Sequence, residues 1–322
     1  MAIPPSASLR YDRPAAPVSV LRAVDRPGDL ATRPLVSIGM PVYNGARHLP
    51  EALDSCLKQT LEDFELIISD NASTDDTSRI CEAYARRDQR IRYIRQPRNI
   101  GAPRNWNVVV HEARGEFFKW ASGNDYLAPT MLSLCTAAMS REPGAVLCYG
   151  HTGLVAEDGT VTGVYDRDLD LAEDRPSARF ARLRERLAMN NAQQGVMRTA
   201  VLRQTGLDRL YPGGDLALMA ELALYGRFRL LPEVLLFRRQ GAGAVAAMRT
   251  PAEVQRMYNP DARRPMKLVR GRFHWDHMRS VARAGIPLAE KIRALATTVR
   301  YARWDRVDLG RELSSLFRHG AS

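Results

Sequence analysis

The amino-acid sequence predicts an α/β protein whose central, mostly parallel sheet is flanked by helices, with a helical extension at the C-terminus. Short, nearly unbroken apolar runs are typical of strands buried on both faces. Between residues 35 and 150 such runs alternate with segments of helical apolar spacing. This alternation indicates βαβ units and parallel strand pairing. The chain has 322 residues, 45% of them hydrophobic, which suffices for one large domain with an appendage.

Each predicted element follows from its local pattern. Strands are expected at 35–40, 64–69, 91–95, 117–121, 146–149, 194–197 and 228–237, the last broken at Pro232, with a hairpin at 153–164. Helices are expected at 45–60, after Asp75 or Asp76, after Gly101, and at 129–139, 176–189, 199–205 and 216–225. Pro50 and Pro129 fall in first helical turns, where a missing N–H costs nothing.

Composition divides the chain into four predicted segments. Residues 1–33 predict an extended N-terminal arm with a short helical turn near residues 18–24. Residues 34–150 and 151–245 are expected to be the two halves of one α/β domain. Residues 246–322 read as a basic, helical C-terminal extension.

Bulk composition restricts the possible functions. The net charge is +11, but the basic residues are scattered along the chain, which disfavours nucleic-acid binding. The four cysteines have no metal-binding or redox spacing and predict buried, reduced thiols. The sequence shows neither the roughly 20-residue apolar run of a membrane span nor the apolar core of a signal peptide. We therefore expect a cytoplasmic protein, with contact to the inner membrane face as an open possibility.

Three predicted strands run directly into polar turns. Ligands bind to open α/β sheets beyond the carboxyl ends of the strands. A nucleotide needs a flat slot for its base, polar partners for the base edge and positive charge at its phosphates. The sequence therefore predicts a nucleotide site across these turns, which are Pro41–Asn44, Asp70–Asp75 and Ser122–Asp125.

Several side chains of these turns suit a nucleotide. Pro41 and Tyr43 can wall the base slot, and Asp70 can accept from a base N–H in a hydrogen bond strengthened by its charge. Glu51 is expected within reach of the same site. The turn at 98–101 precedes a helix, whose N-terminus favours ribose or phosphate. The alternatives are that Asp70 is a plain turn residue and Tyr43 a plain core aromatic.

In their order and spacing, these motifs resemble those of family 2 glycosyltransferases of the GT-A fold. The resemblance covers roughly residues 34–240, with echoes at 195–198, 214–215 and 237–239. It implies transfer of a sugar from a nucleotide-diphosphate sugar to an acceptor hydroxyl with inversion, in bacterial cell-surface polysaccharide or natural-product glycosylation. The donor-contacting residues that we predict are Pro41, Tyr43, Asn44, Glu51, Asp70, Asn71, Arg98, Asn99, Asn105, Asn124 and Asp125.

The third turn departs from the family pattern. The family usually carries Asp-x-Asp, but here the two positions are Ser122 and Asn124, and only Asp125 is acidic. A His that often supplies a second metal ligand is replaced by Gln240. An amide is a poorer ligand than a carboxylate for a hard cation such as Mg²⁺ or Mn²⁺.

Three interpretations of the third turn stay open. Asp125 can hold the divalent metal. Alternatively, arginines neutralise the diphosphate without a metal, the candidates being Arg98, Arg104, Arg238 and Arg239. In the third interpretation, the chain binds a nucleotide sugar without turning it over.

The resemblance also implies a catalytic base. The family places an Asp at a helix start after a glycine-containing loop, and Asp215 after Gly213-Gly214 matches. The alternatives are that Asp215 only caps the helix, or that Glu221 is the base. The loops at 165–175 and 190–194 are expected to face the acceptor, which the sequence does not identify.

The C-terminal segment and the competing functions leave further alternatives. Apolar residues of 286–299 lie on one side of a predicted helix, which suits docking on the domain, a homo-oligomer contact or an anionic membrane surface. The competing functions are a catalytically impaired nucleotide-sugar-binding protein and a nucleotidyltransferase. The latter normally shows a Gly-rich signature that is not visible here.

Overall fold

A computed structural model describes residues 19–21, 33–241, 250–262 and 266–317 of the chain. Its strands are β1 (Ser19–Leu21), β2 (Val36–Val42), β3 (Phe64–Asp70), β4 (Ile91–Arg95), β5 (Phe117–Trp120), β6 (Tyr126–Leu127), β7 (Ala145–Val155), β8 (Val161–Val164), β9 (Val196–Arg198) and β10 (Arg227–Arg239). Its helices are α1 (Leu49–Leu57), α2 (Thr77–Arg87), α3 (Ala102–Glu112), α4 (Met131–Arg141), α5 (Pro176–Arg186), α6 (Thr199–Leu202), α7 (Gly214–Tyr225), α8 (Pro251–Tyr258), α9 (Val269–Arg283), α10 (Leu288–Trp304) and α11 (Arg306–Phe317). A short 3₁₀ helix covers Asn191–Gln194.

One mixed sheet runs through the domain in the order β1-β4-β3-β2-β5-β9-β7-β10-β6, with β8 paired to β7. Strands β4, β3, β2 and β5 are parallel neighbours, and β7 is parallel to β10. Strand β9 lies antiparallel between β5 and β7 and joins the two halves. The predicted class, an α/β protein with a largely parallel central sheet flanked by helices, is confirmed.

The apolar runs form strands because both faces of the sheet are covered. Every residue of β2 and of β3 is buried. Two apolar clusters fill the spaces beside the sheet, one with α1 and α4 and the other with α3, α5 and α7. Because β2 is paired in parallel with both β3 and β5, the carboxyl ends of these three strands meet at one edge of the sheet. Their polar turns lie beyond this edge.

Some local predictions were wrong. The helical turn expected near 18–24 is contradicted by β1, whose residues pair antiparallel with β4. Helix α1 begins at Leu49, because residues 44–46 are held by the turn after β3. The break at Pro232 is a register irregularity within β10. Gln194 belongs to the 3₁₀ helix rather than to β9. The sequence Gly-Ala-Gly-Ala at 241–244 also predicts a flexible linker, which lies, from residue 242 onward, outside the described residues.

The C-terminal helices pack on the second half of the domain through buried charges. Glu290 of α10 accepts hydrogen bonds from the Ser177 backbone N (3.0 Å) and Oγ (2.5 Å) at the start of α5. Arg283 of α9 donates from Nη2 to Glu221 of α7 (2.6 Å). Docking on the domain, one of the three predicted arrangements, is thus observed. Ile292 and Val299 nevertheless stay exposed, and no helix within the described ranges is long and apolar enough to cross a membrane.

Candidate active site

The first two turns are tied into one platform. The Asn44 side chain accepts from the Thr74 backbone N (2.8 Å), and the Asn44 backbone N donates to Ser73 Oγ (3.0 Å). Asn44 has a left-handed backbone (φ 48°), which Asn tolerates better than most residues. Pro41 is buried, whereas Tyr43 is 49% exposed. Tyr43 is therefore not a core aromatic, and its exposure is what a base-stacking wall requires.

The predicted polar residues behind this platform hold the turns in place. Asp70 is fully buried and accepts from the Ser73 backbone N (2.8 Å) and from the Tyr93 hydroxyl (2.9 Å). Asn71 donates to Asn99 Oδ1 (3.0 Å) and accepts from the Ile100 backbone N (2.8 Å). These contacts fix the loop that a base would meet. Direct contact of Asp70, Asn71 or Asn99 with a ligand stays a prediction.

Helix α3 is pinned to β3 by Asn105. Its amide donates to Ser69 O (2.8 Å), and its oxygen accepts from Ser69 Oγ (2.6 Å). Asn105 is only 2% exposed, so it positions the N-terminus of α3. A direct ligand role for Asn105 stays a prediction.

Two of the candidate phosphate arginines have partners in the segment after α8. Arg98 pairs with Asp261, with Nη2 3.2 Å from Oδ2. Arg104 donates to Asn259 Oδ1 (3.1 Å). Both partners lie far along the chain, so the C-terminal extension reaches the start of α3.

A cavity of about 200 Å³ brings the third turn and the predicted base together. Its walls come from α3, the turn after β5, the 3₁₀ helix, the start of α7 and the end of β10. The lining residues are Trp106, Ser122, Asn124, Asp125, Asn190, Gln193, Gln194, Asp215, Arg238 and Arg239. Predicted residues from distant parts of the chain thus meet at one site.

Asp215 and Glu221 occupy opposite environments on α7. Asp215 lies in the first turn, lines the cavity and accepts from Asn190 Nδ2 (2.9 Å). Glu221 is fully buried and accepts from Arg209 (3.0 Å) and Arg283 (2.6 Å). Asp215 is therefore available to a substrate, whereas Glu221 serves a buried ion-pair cluster.

A second acidic residue lies near Asp215. Burial, together with the negative charge of Asp215, raises the pKa of Asp208 to about 7. Burial is the main cause of the raised pKa of Tyr258 in α8, and the negative charges of Asp215 and Asp208 raise this pKa further. The C-terminal extension therefore contributes to the electrostatic surroundings of Asp215.

The two arginines of β10 differ in availability. Arg239 is 8% exposed, and its guanidinium pairs with Glu51 and donates to Asn124 O (3.3 Å). Arg238 lines the cavity and is held by Asn191 Oδ1 (2.8 Å). Arg238 is thus better placed than Arg239 to meet an anionic ligand. Glu51 itself lines a separate surface cavity of about 640 Å³ beside Tyr126 and Phe237.

The donor set of the third turn fits a divalent metal poorly. Asp125 is its one carboxylate, and its oxygens already accept from Gln194 Nε2 (2.9 Å) and the Arg239 backbone N (3.0 Å). Asn124 offers a neutral oxygen, and two guanidiniums line the same cavity. Within the described part of the chain, no three His, Cys, Asp or Glu side chains are grouped as a metal site.

The mixed sheet with its flanking helices has the GT-A fold, and the polar cavity lies at the carboxyl edge of the sheet. S. aureus TarS 1–349, solved in complex with UDP-GlcNAc, has the same fold. The likeness covers 83% of this chain and 72% of that one, with a TM-score of 0.57 and 19% identity.

The chain belongs to glycosyl transferase family 2, whose profile matches residues 37–207, more than half of its length. The uncharacterized glycosyltransferase EpsJ of Bacillus subtilis is 40% identical over 103 residues, which is 32% of this chain and 30% of EpsJ. Chondroitin synthase of Escherichia coli is 31% identical over 128 residues, which is 40% of this chain and 18% of the synthase. The chain spans less than a third of either relative.

Sequence reasoning missed several cavity residues. Trp106 was expected only as a helix residue, and Gln193 and Gln194 as part of an acceptor loop and a strand. Lys119 stands within the apolar strand predicted at 117–121. Its buried ammonium donates to Gln194 O (2.5 Å), and burial lowers the pKa of Lys119 to about 8. A lysine inside a predicted core strand was the one signal that a polar partner lay nearby.

Proposed function

We propose that the chain is an inverting glycosyltransferase that moves a sugar from a nucleotide-diphosphate sugar to an acceptor hydroxyl. The observation that carries the proposal is the shared cavity of Asp215, the third turn and Arg238. A candidate base and a positive charge line this one cavity, and its volume of about 200 Å³ supports the proposal that a reacting sugar binds there.

The reaction is a single in-line displacement. The acceptor oxygen forms a bond to the anomeric carbon, while the bond from that carbon to the β-phosphate oxygen breaks. The nucleoside diphosphate leaves with the electron pair of that bond, and the acceptor hydroxyl proton passes to the Asp215 carboxylate. A positioned general base usually contributes about 10²–10⁴-fold to the rate. Attack opposite the leaving group inverts the anomeric configuration.

Arg238 compensates the charge that develops on the diphosphate. A guanidinium presents several donors in a fixed plane and stays protonated, so it can neutralise phosphate without a metal. Asn191 holds Arg238 in position. Asp125 is the residue of the third turn that can hold Mg²⁺ or Mn²⁺, should a metal take part.

The first two turns receive the nucleoside. Tyr43 is exposed beside the locked Asn44 turn, and it can stack on the base. S. aureus TarS binds UDP-GlcNAc, which makes UDP sugars the first donors to test. The acceptor is proposed to be a hydroxyl of a bacterial cell-surface glycan or a natural product.

The test is nucleoside-diphosphate release from a panel of nucleotide sugars, measured with and without EDTA. Release that persists in EDTA supports charge compensation by arginine. Release that EDTA abolishes and Mn²⁺ or Mg²⁺ restores shows instead that a metal takes part, with Asp125 as its predicted ligand. A wild-type protein that binds nucleotide sugars but never releases nucleoside diphosphate, with any acceptor extract, would favour the non-catalytic alternative.

A further inference from the structure

The segment 190–194 carries three amide side chains that each form a hydrogen bond within the protein through one of their two polar ends. Asn190 Nδ2 donates to Asp215 Oδ2 (2.9 Å), and Gln194 Nε2 donates to Asp125 Oδ2 (2.9 Å). Gln193 Oε1 faces Asn190 Nδ2 at 3.4 Å. Ionised carboxylates only accept hydrogen bonds, so the amide orientations of Asn190 and Gln194 are fixed.

The opposite ends of the same amides are unpaired within the described residues. These ends are the acceptors Asn190 Oδ1 and Gln194 Oε1 and the donor Gln193 Nε2. Gln193 and Gln194 are only 7% and 8% exposed. Buried polar groups nearly always have partners, and unpaired ones are costly. All three residues line the cavity of about 200 Å³.

The segment 190–194 is held in place by hydrogen bonds to other elements of the domain. Its backbone is held at Gln194 O by the buried Lys119 ammonium (2.5 Å). Asn191 donates to Asp168 Oδ1 (3.1 Å). Groups held in this way bind a ligand with little further loss of conformational freedom.

The ligand must offer both donors and acceptors at short spacing. A hydroxyl does both, since it can donate to an amide oxygen and accept from an amide NH₂. Trp106 adds an aromatic wall that can pack against an apolar ring face. The cavity is smaller than the roughly 300–1,000 Å³ of most drug-sized ligand pockets, so it suits one sugar ring rather than a whole nucleotide sugar.

We infer that Asn190, Gln193 and Gln194 read the hydroxyl groups of the transferred sugar and set the donor-sugar specificity. The inference rests on the proposed function, because it places this ring between Asp215 and the diphosphate-binding turn. It assigns to the donor a loop whose sequence position had suggested the acceptor side. Gln193 is the best probe, since neither carboxylate depends on it.

The test compares wild type, Gln193→Met and Gln204→Met by titration calorimetry. Gln204 is an exposed glutamine outside the cavity and serves as the matched control. The ligands are UDP, GDP, UDP-glucose, its C4 epimer UDP-galactose, UDP-GlcNAc and GDP-mannose. Gln193→Met should bind the free diphosphates within about twofold of wild type. It should bind the preferred nucleotide sugar roughly tenfold more weakly, near the upper end of what one hydrogen bond provides, and discriminate less between epimers.

Two outcomes would overturn the inference. One is unchanged affinity of Gln193→Met for the nucleotide sugars that wild type binds. The other is an equal loss for free diphosphates and nucleotide sugars, which would indicate a distorted diphosphate site. Gln193→Glu, which replaces the NH₂ donor by an acceptor, should give at least as large a sugar-specific loss. Failure of wild type to bind any nucleotide sugar would instead remove the proposed function itself.

Discussion

Two carboxylates on helix α7 should affect different properties of the protein when each is made neutral. Substitution of Asp215 should lower turnover, whereas substitution of Glu221 should lower thermal stability. Asp215 lines the cavity in the first turn of the helix, whereas Glu221 lies fully buried less than two turns further on. The sequence left both as candidates for the base. The paired substitutions Asp215→Asn and Glu221→Gln separate chemistry from stability.

The expected cost of Glu221→Gln follows from its surroundings. The carboxylate accepts from the Gly206 backbone N (3.1 Å), from Arg209 (3.0 Å) and from Arg283 (2.6 Å). Removing one partner of a buried ion pair costs about 3–5 kcal/mol. Gln keeps the volume and one acceptor oxygen, so the lower end applies. At 2–4 °C per kcal/mol, a loss of about 3 kcal/mol should lower Tm by roughly 6–12 °C.

Asp215→Asn should leave the fold nearly intact. The Asn oxygen can still accept from Asn190, and the loss of a first-turn carboxylate costs about 0.3–1 kcal/mol. Nucleotide-sugar affinity should stay within a few-fold of wild type. Turnover should fall by roughly 10²–10⁴-fold, because the carboxylate that takes the acceptor proton is gone.

The assays are thermal unfolding by circular dichroism and nucleoside-diphosphate release from a donor that binds. The reasoning is refuted if Glu221→Gln abolishes turnover at an unchanged Tm. It is also refuted if Asp215→Asn turns over at a near-normal rate.

Three further predictions test the surroundings of the site. Arg238→Gln should weaken UDP binding by roughly 10–100-fold, the usual effect of losing charged hydrogen bonds; equal affinity in calorimetry would exclude Arg238 from the diphosphate site. The pKa of Asp208 is raised to about 7 by burial and by Asp215, so the native state binds the extra proton and stability should fall as pH rises from about 4 to about 7; urea unfolding of Asp208→Asn should lack this fall, and parallel profiles would contradict it. Hydrogen bonds from Ser177 lower the pKa of Glu290 to about 2, so its stabilising effect should be full above pH about 4.5 and vanish as pH falls towards 2; Glu290→Gln should therefore be less stable than wild type at pH 7 but not near pH 2.

The strand–turn units were predictable because local pattern and burial agree. Strands β2 and β3 are buried on both faces, so their sequences are continuous apolar runs that end at polar turns. The start of α7 after Gly213-Gly214 was likewise visible in the sequence, and the resemblance to family 2 glycosyltransferases is what singled out Asp215 there. These features depend on neighbours in sequence.

The missed features depend on partners far along the chain. The pairing of Arg98 with Asp261 joins residues 163 positions apart. The donor ends of Asn190 and Gln194 are fixed by carboxylates in other elements, 25 and 69 residues away. No local periodicity marks an amide that faces a cavity, so such residues appear only once the sheet order brings the segments together.

The most direct measurement of the central claim is equilibrium binding of nucleotide sugars to the purified protein by titration calorimetry. UDP-glucose, UDP-GlcNAc and GDP-mannose should be compared with the free diphosphates and with the nucleosides alone. We predict saturable binding of at least one nucleotide sugar, with free diphosphate competing for the same site. Absence of binding to every nucleotide sugar and diphosphate in the panel would contradict the account.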